Sequence, residues 1–146
     1  MIQYANNLTS ITWPKCTNGT IKGSINAASP VLRFINGDID MTNTSIGNLI
    51  STSPYLEGTL TFKNVTSSLT INNKQYLTGI RIKNPSANIA NQTFTNCALD
   101  ADAINALFGD LPTVSATRTI NVKGNPGAAT CDTTIATNKN WKVITA

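Results

Sequence analysis

The chain has 146 residues, enough for one domain with a substantial core, and carries a formal net charge of +4 with a pI near 9.1. Charged residues make up only 12%, about half of the roughly 25% usual in globular domains, and the basic residues are scattered, which argues against a nucleic-acid groove. Histidine is absent and no apolar stretch approaches ~20 residues, so histidine-based triads and membrane insertion are excluded.

A short phrase recurs through the first half of the chain: an apolar residue, then a glycine, then two apolar residues separated by one position. Copies begin at Ile21, Ile35 and Leu56, and a fourth at Leu77 lacks one residue after its glycine. Each copy predicts a turn leading into a short strand, and their recurrence predicts a β-rich solenoid with one continuous core. The predicted strand centres are Ile11, Ile25, Ile39, Leu60, Ile80, Phe94 and Ile120.

The spacing of these centres is irregular. The longer steps, such as that from Leu60 to Ile80, fit a strand plus a return segment. The shorter steps, such as that from Ile80 to Phe94, do not leave enough chain for that arrangement. They indicate either a tighter β-turn return or alternate strands lying on a second sheet.

Three segments, 8–16, 77–85 and 89–99, fit the leucine-rich-repeat consensus, although Gln92 departs from its apolar pattern. The Asn or Cys of that consensus points inward and bonds to backbone groups, which predicts that Cys16 and Cys97 are buried free thiols rather than nucleophiles. With Cys131, the odd count and the spacing argue against a disulfide framework and a zinc site.

A helix near 100–111 is predicted on the back of the solenoid. Asp100 is a favourable N-cap, Asp102 suits the first turn, and Pro112 follows the end. Its apolar stripe comprises Ala103, Ile104, Leu107, Phe108 and Leu111.

A C-terminal cap is predicted after this helix. It comprises a last strand over 118–122, a turn at 124–127, a short helix around 134–138 capped by Asp132, and an apolar closing piece from Trp141 to Ile144. The chain is therefore interpreted as a single repeat domain, 1–146, with irregular repeats over 1–98 and the helix, last strand and cap over 99–146. No comparable cap precedes Leu8, so the first strand is expected to pair with another subunit or an upstream segment.

The segments 99–112 (Leu-Asp-Ala-Asp-Ala-Ile-Asn-Ala-Leu-Phe-Gly-Asp-Leu-Pro), 119–128 and 135–143 resemble the ending of leucine-rich-repeat proteins of the bacterial surface-protein type. Similar endings occur in phage and prophage virion proteins of gut-type bacteria. The chain departs from that pattern in its short steps between strand centres and at Asn140, where the family often has glycine. The resemblance implies a binding or structural role and brings no catalytic residues.

Asp38 and Asp40 are the candidate catalytic or calcium-binding pair. Two apart on one strand, they share a face at roughly 7 Å, a separation that suits paired glycosidase carboxylates or a calcium site. A solvated strand face is the favoured interpretation, so no enzyme activity, cofactor or metal site is predicted.

Short polar residues flank the predicted strand centres and would stack into rows. The candidate binding face comprises Thr12, Asn26, Asp40, Thr61, Arg81, Thr95 and Asn121. Its alternatives are a face for protein or glycan contact, an ordinary solvated face, and an ice-binding array, which Asp38, Asp40 and Arg81 disfavour because they interrupt a neutral lattice.

The polar but weakly charged composition is typical of extracellular, fibrous and virion proteins, and residues 1–7 lack the features of a signal peptide. The leading hypothesis is a non-catalytic structural or adhesion module of a phage virion (decoration, fibre or tail appendage) or of a bacterial surface assembly. Expected partners are other subunits of that assembly, copies of the same chain, and host-surface glycan or protein, but not nucleic acid. A secreted glycan-binding module and an ice-binding solenoid are the alternatives.

Overall fold

The computed structural model describes residues 9–12, 23–24, 32–42, 44–45 and 50–146. The strands within these ranges are β1 (Ser10–Thr12), β2 (Gly23–Ser24), β3 (Phe34–Asn36), β4 (Asp38–Asp40), β5 (Thr44–Ser45), β6 (Glu57–Lys63), β7 (Thr70–Asn72), β8 (Tyr76–Lys83), β9 (Gln92–Thr95), β10 (Arg118–Asn121) and β11 (Trp141–Ile144). Two helices lie wholly within them, α1 (Ala101–Asp110) and α2 (Thr134–Thr137).

All pairings among the described strands are parallel. The first sheet has the order β4-β6-β8 and the second has the order β7-β9-β10-β11, while β1 pairs with β3 and β2 with β5. From β6 to β9 the chain alternates between the first and second sheets. This alternation explains the short step from Ile80 to Phe94, because those two residues lie in different sheets.

Paired strands are separated by a variable length of chain. Thr61 on β6 pairs with Arg81 on β8. The chain from Thr93 to its partner Asn121 is longer, because it includes α1. Register also shifts after Gly58, whose φ of 78° a β-carbon would disfavour. The additional residues lie in the segment between paired strands or in the bulge, so the inward side chains of neighbouring strands still lie opposite one another.

The predicted strand centres do not form one column. Leu60 does lie opposite Ile80, but Ile39 lies opposite Phe62 rather than Leu60. Each of these side chains is buried, because residues two apart on a strand share a face. Full burial of an aliphatic or aromatic side chain contributes about 1.5–3 kcal/mol, so these inward columns are the main source of stability.

Asparagines in the left-handed conformation directly follow β6, β7, β8 and β9, and one directly precedes β11. Asn64, Asn73, Asn84, Asn96 and Asn140 have φ between 48° and 66°. Asparagine tolerates this region better than other residues that carry a β-carbon. Asn140 has a φ of 66°, a conformation that glycine also adopts readily.

The predicted helix is confirmed as α1. The Asp100 carboxylate accepts a hydrogen bond from the Ala103 N–H at 2.8 Å, and Ile104, Leu107 and Phe108 are buried. The helix packs along β8. It therefore occupies the position next to β8 that a further strand of the first sheet would otherwise take.

The C-terminal segment matches its prediction in most respects. The short helix is α2, but its N-cap is Thr133 rather than the predicted Asp132, whose carboxylate accepts a hydrogen bond from the Thr134 N–H at 2.9 Å just before the helix. The closing piece is a strand, β11, rather than an irregular plug. Trp141 on β11 is buried and its indole N–H donates to the Pro112 carbonyl at 2.9 Å.

The repeat phrase did not predict β3, β5 or β7. Strand β7, with the sequence Thr-Ile-Asn, has a single inward residue, Ile71, too few for an alternating pattern. Leu8, Cys16 and Ile25 lie outside the described residues. The open edge predicted at the first strand stays a prediction, because the structure describes only Thr9 and β1 of that region.

Candidate binding surface

The predicted binding face is divided between the two sheets. Asp40, Thr61 and Arg81 lie on strands of the first sheet, whereas Thr95 and Asn121 lie on strands of the second. Thr12 is exposed on β1, opposite Asn36, and Asn26 is outside the described residues. The described residues of the candidate face therefore do not form one row, because successive strands alternate between sheets.

The outward face of the first sheet is charged. Thr61 lies in register between Asp38 and Arg81. Asp40, two residues further along β4, lies opposite Lys63. Lys83 donates to both carboxylate oxygens of Asp38, at 2.9 and 3.0 Å. Both side chains are about half exposed, so this ion pair contributes little stability.

A stronger ion pair joins β8 to the end of α1. The Arg81 guanidinium donates to both oxygens of Asp110, at 2.6 and 2.7 Å, and the Ile82 N–H donates to the same carboxylate at 3.0 Å. The hydrogen bond with Asp110 raises the pKa of Arg81 above its usual range. Asp110 therefore provides the hydrogen-bond acceptor for the Ile82 N–H at the edge of β8.

Asp40 is held by a local turn. Its carboxylate accepts hydrogen bonds from the Thr42 hydroxyl at 2.7 Å, the Thr42 N–H at 3.0 Å and the Asn64 amide at 3.1 Å. The bonds from Thr42 lower the pKa of Asp40. Asp38 and Asp40 thus have different partners: Asp38 binds the Lys83 ammonium, whereas Asp40 accepts hydrogen bonds from Thr42 and Asn64.

The outward face of the second sheet is neutral at its centre. Thr70, Thr93 and Asn121 form one column across β7, β9 and β10. Asn72 and Thr95 form the next column, and the Thr95 hydroxyl donates to the side-chain Oδ1 of Asn72 at 2.8 Å. We call these five residues the polar columns. The charges that disfavoured an ice-binding array, Asp38, Asp40 and Arg81, all lie on the first sheet instead.

Buried polar side chains bond the interior backbone. The Asn125 amide donates to the Phe94 and Val122 carbonyls, both at 2.7 Å, and its carbonyl accepts from the Cys97 N–H at 3.1 Å and the Leu99 N–H at 3.4 Å. Gln92, which departed from the consensus, is fully buried and links the Leu69 N–H with the Ser67 and Ala90 carbonyls.

Cys97 is a buried free thiol, as predicted. Its sulfur lies 3.5 Å from the Thr95 carbonyl and 3.8 Å from that of Ile71. Burial raises the pKa of this thiol, which keeps it protonated and unreactive. Lys74 is also buried, donating to the Ser51 carbonyl at 3.4 Å, and burial lowers its pKa.

An exposed aromatic cluster was missed by the sequence reasoning. Phe34, Tyr55 and Tyr76 are the large hydrophobic side chains exposed among the described residues, each at 43–45%. The rings of Tyr55 and Tyr76 stack with centroids 6.2 Å apart, and the Arg33 guanidinium lies 5.9 Å from the Tyr55 centroid. A signal existed, since these three aromatic residues recur at equal intervals along the chain.

Within the described ranges, no group of three His, Cys, Asp or Glu side chains is placed to bind a metal ion. Neither of the two described helices has the length and apolarity needed to cross a lipid bilayer. Comparison with known proteins gives no relative: no family model, curated protein or solved structure matches the chain.

Proposed function

We propose that the chain is a non-catalytic structural or adhesion module, built as a leucine-rich-repeat-like β-rich solenoid, that binds its partners through the polar columns of the second sheet. The observation that carries this proposal is the neutral outward face of β7, β9 and β10, where hydroxyl and amide groups are held in register at the strand spacing of about 4.8 Å. Such a face offers many hydrogen-bonding groups without the cost of desolvating charges.

The parallel pairing of alternate strands supports the solenoid. The partners Thr61 and Arg81, like the partners Thr93 and Asn121, are separated in sequence by a length within the roughly 20–29 residues of one leucine-rich repeat. Asn125 and Cys97 bond inward to the backbone of neighbouring segments, the role that the consensus gives to its Asn or Cys.

The use of the carboxylates supports a non-catalytic role. Six of the seven acidic side chains make structural hydrogen bonds or ion pairs, which leaves Asp102 in the first turn of α1. The bonded residues are Asp38, Asp40, Glu57, Asp100, Asp110 and Asp132. A general acid or base needs a carboxyl group free to exchange protons with substrate.

The setting that we propose is a phage virion or a bacterial surface assembly. Its support is the composition, in which Asn, Thr and Ser replace charged residues, together with the resemblance of the C-terminal segments to proteins of those settings. Partners would be other subunits of the assembly, further copies of this chain, or a host-surface molecule.

The test is fractionation of the producing culture. An epitope-tagged chain is followed through a density gradient that separates virions, cell envelopes and medium. We expect a fixed ratio of the chain to other proteins of the virion or envelope fraction. Thr93→Arg together with Thr95→Arg should release it to the medium, because two cations then replace the neutral columns, whereas the control Asn88→Arg, at an exposed position outside them, should not.

A chain that stays monomeric in the medium, without enrichment in virions or envelopes, would refute the assembly role. Retention of the Thr93 and Thr95 double variant at the wild-type ratio would refute the polar columns as the contact surface. Thermal denaturation of each purified variant separates loss of contact from loss of fold.

A further inference from the structure

The aromatic cluster differs from ordinary surface hydrophobics by its concentration. The three large hydrophobic side chains exposed among the described residues all lie on or beside the neighbouring strands β3, β6 and β8. Phe34 is next to Glu57, whose N–H donates to the Arg33 carbonyl at 2.8 Å, and Glu57 pairs with Tyr76. Single exposed hydrophobics need no explanation, whereas here two of the three exposed rings, Tyr55 and Tyr76, stack against each other.

The cluster also has internal contacts that restrain its side chains. Tyr55 contacts both the Arg33 guanidinium and the Tyr76 ring, at distances within the range of attractive cation–π and aromatic contacts. Arg33 is oriented in turn by Glu57, at 3.7 Å. Fixed rings lose little conformational entropy on binding, so even a small contact area can give measurable affinity.

The size of the cluster favours a small ligand over a folded protein. Aromatic side chains bury 150–250 Å² each, so three rings exposed at 43–45% offer roughly 250 Å² of surface. A stable protein interface buries about 800 Å² on each partner, including a dimer of this chain. A few sugar rings cover an area of the smaller size.

The chemistry of the cluster favours a neutral carbohydrate. A pyranose ring presents an apolar C–H face, which packs against an aromatic ring, and a rim of hydroxyl groups. Glu57 and Arg33 provide an acceptor and donors at that rim, with exposed Thr78 beside Tyr76. Because Arg33 and Glu57 neutralise each other, the cluster has no excess charge to attract an acidic sugar.

We propose that the aromatic cluster is a carbohydrate-binding site for a neutral oligosaccharide of pyranose sugars, with Tyr55 and Tyr76 as the stacking residues. The site lies at the N-terminal ends of β6 and β8, on the first sheet rather than on the polar columns of the second. It does not depend on the proposed assembly role, and each proposal can fail without the other.

The test is fluorine NMR of the full chain labelled with 3-fluorotyrosine, with signals assigned by single Tyr→Phe variants. Cellohexaose, xylohexaose, mannohexaose and chitohexaose are the probes. We expect at least one of them to shift the Tyr55 and Tyr76 signals saturably. Tyr76→Ala, followed at the Tyr55 signal, should weaken binding at least about tenfold, or about 1.4 kcal/mol, because the stacking surface is lost.

Matched variants separate stacking from general effects. Tyr76→Leu keeps an apolar side chain, so it serves if the alanine variant fails to fold, and it should show the same loss because it lacks an aromatic face. Tyr76→Phe should retain the wild-type affinity to within about threefold. Asn88→Ala, at an exposed position outside both the aromatic cluster and the polar columns, should change nothing.

Two results would overturn the proposal: no saturable shift with any of the four oligosaccharides, or binding that Tyr76→Ala and Tyr76→Leu leave unchanged. Shifts of the Tyr55 and Tyr76 signals that depend on protein concentration alone would also overturn it, since a second copy of the chain would then cover the cluster.

Discussion

Replacing Asn125 by alanine should destabilise the protein more than any surface change of similar size. The amide makes four hydrogen bonds inside the molecule, two of them at 2.7 Å, and its loss leaves the N–H groups of Cys97 and Leu99 buried without this acceptor. An orphaned buried group costs about 1–3 kcal/mol, so the expected loss for Asn125→Ala is about 3–4 kcal/mol after partial relaxation.

The assay is urea unfolding followed by circular dichroism. With about 2–4 °C of melting temperature per kcal/mol for a chain of this size, the same variant should melt roughly 10 °C lower. Asn88→Ala is the control, because Asn88 is exposed, and it should stay within about 0.5 kcal/mol of wild type.

Asn125→Asp is the matched variant, since it keeps the shape of the side chain and its acceptor oxygen but replaces the donating NH2 group by a second oxygen. A carboxylate would then face the Phe94 and Val122 carbonyls, so this variant should be at least as unstable as Asn125→Ala at neutral pH. A loss below about 1 kcal/mol for Asn125→Ala, at an unchanged denaturant slope, would refute the reasoning.

Three further predictions concern pH, the edge of β8 and the glycines. Burial lowers the pKa of Lys74, so the folded protein loses the ammonium proton at a lower pH than the unfolded chain does. The stability of the wild type relative to Lys74→Met should therefore rise as the pH increases from the folded pKa to about 10.5, the ordinary value. A pH-independent difference in urea unfolding would contradict this. Asp110→Ala should lower the free energy of unfolding by about 2–3 kcal/mol and Arg81→Ala by about 1 kcal/mol, because only the loss of Asp110 also leaves the Ile82 N–H without its acceptor. Equal losses in thermal melts would show that the hydrogen bond from Ile82 to Asp110 contributes nothing. Gly109→Ala should stabilise the protein by about 0.5–1 kcal/mol, because Gly109 lies in a helix and has open space around it. Gly124→Ala should destabilise it by more than about 2 kcal/mol, because the φ of Gly124 is 76° and a β-carbon would overlap the Asn96 side chain. The opposite order of melting temperatures would refute both assignments.

Local chemistry made part of this structure predictable. Helix α1 follows from Asp100 and an apolar stripe of helical period, and Cys97 follows from its place in the consensus. Both signals are confined to a short window of sequence, where the physical cause and the residue pattern coincide.

The assignment of strands to sheets was not predictable in the same way. The repeat phrase marks Leu60 and Ile80 as inward-facing. Which strands lie beside them depends on the intervening segment that contains β7, and β7 has only one buried residue, so its sequence shows no hydrophobic periodicity. The candidate face failed for this reason, since Thr61 and Thr95 have the same local pattern yet lie on different sheets. The aromatic cluster did not follow from the repeat phrase, because that phrase marks core positions whereas the regularly spaced aromatic residues face outward.

The asparagine turns also bear on how the protein ages. Deamidation begins when the backbone nitrogen of the following residue attacks the asparagine side chain, and a small following residue speeds this step. Each left-handed asparagine is followed by something larger than glycine: Val65, Lys74, Pro85, Cys97 and Trp141. Proline has no N–H to lose at that step, and the other side chains hinder it. By contrast, exposed Asn36 is followed by Gly37, the one Asn-Gly pair among the described residues, so this turn should acquire negative charge before any of the left-handed asparagines does.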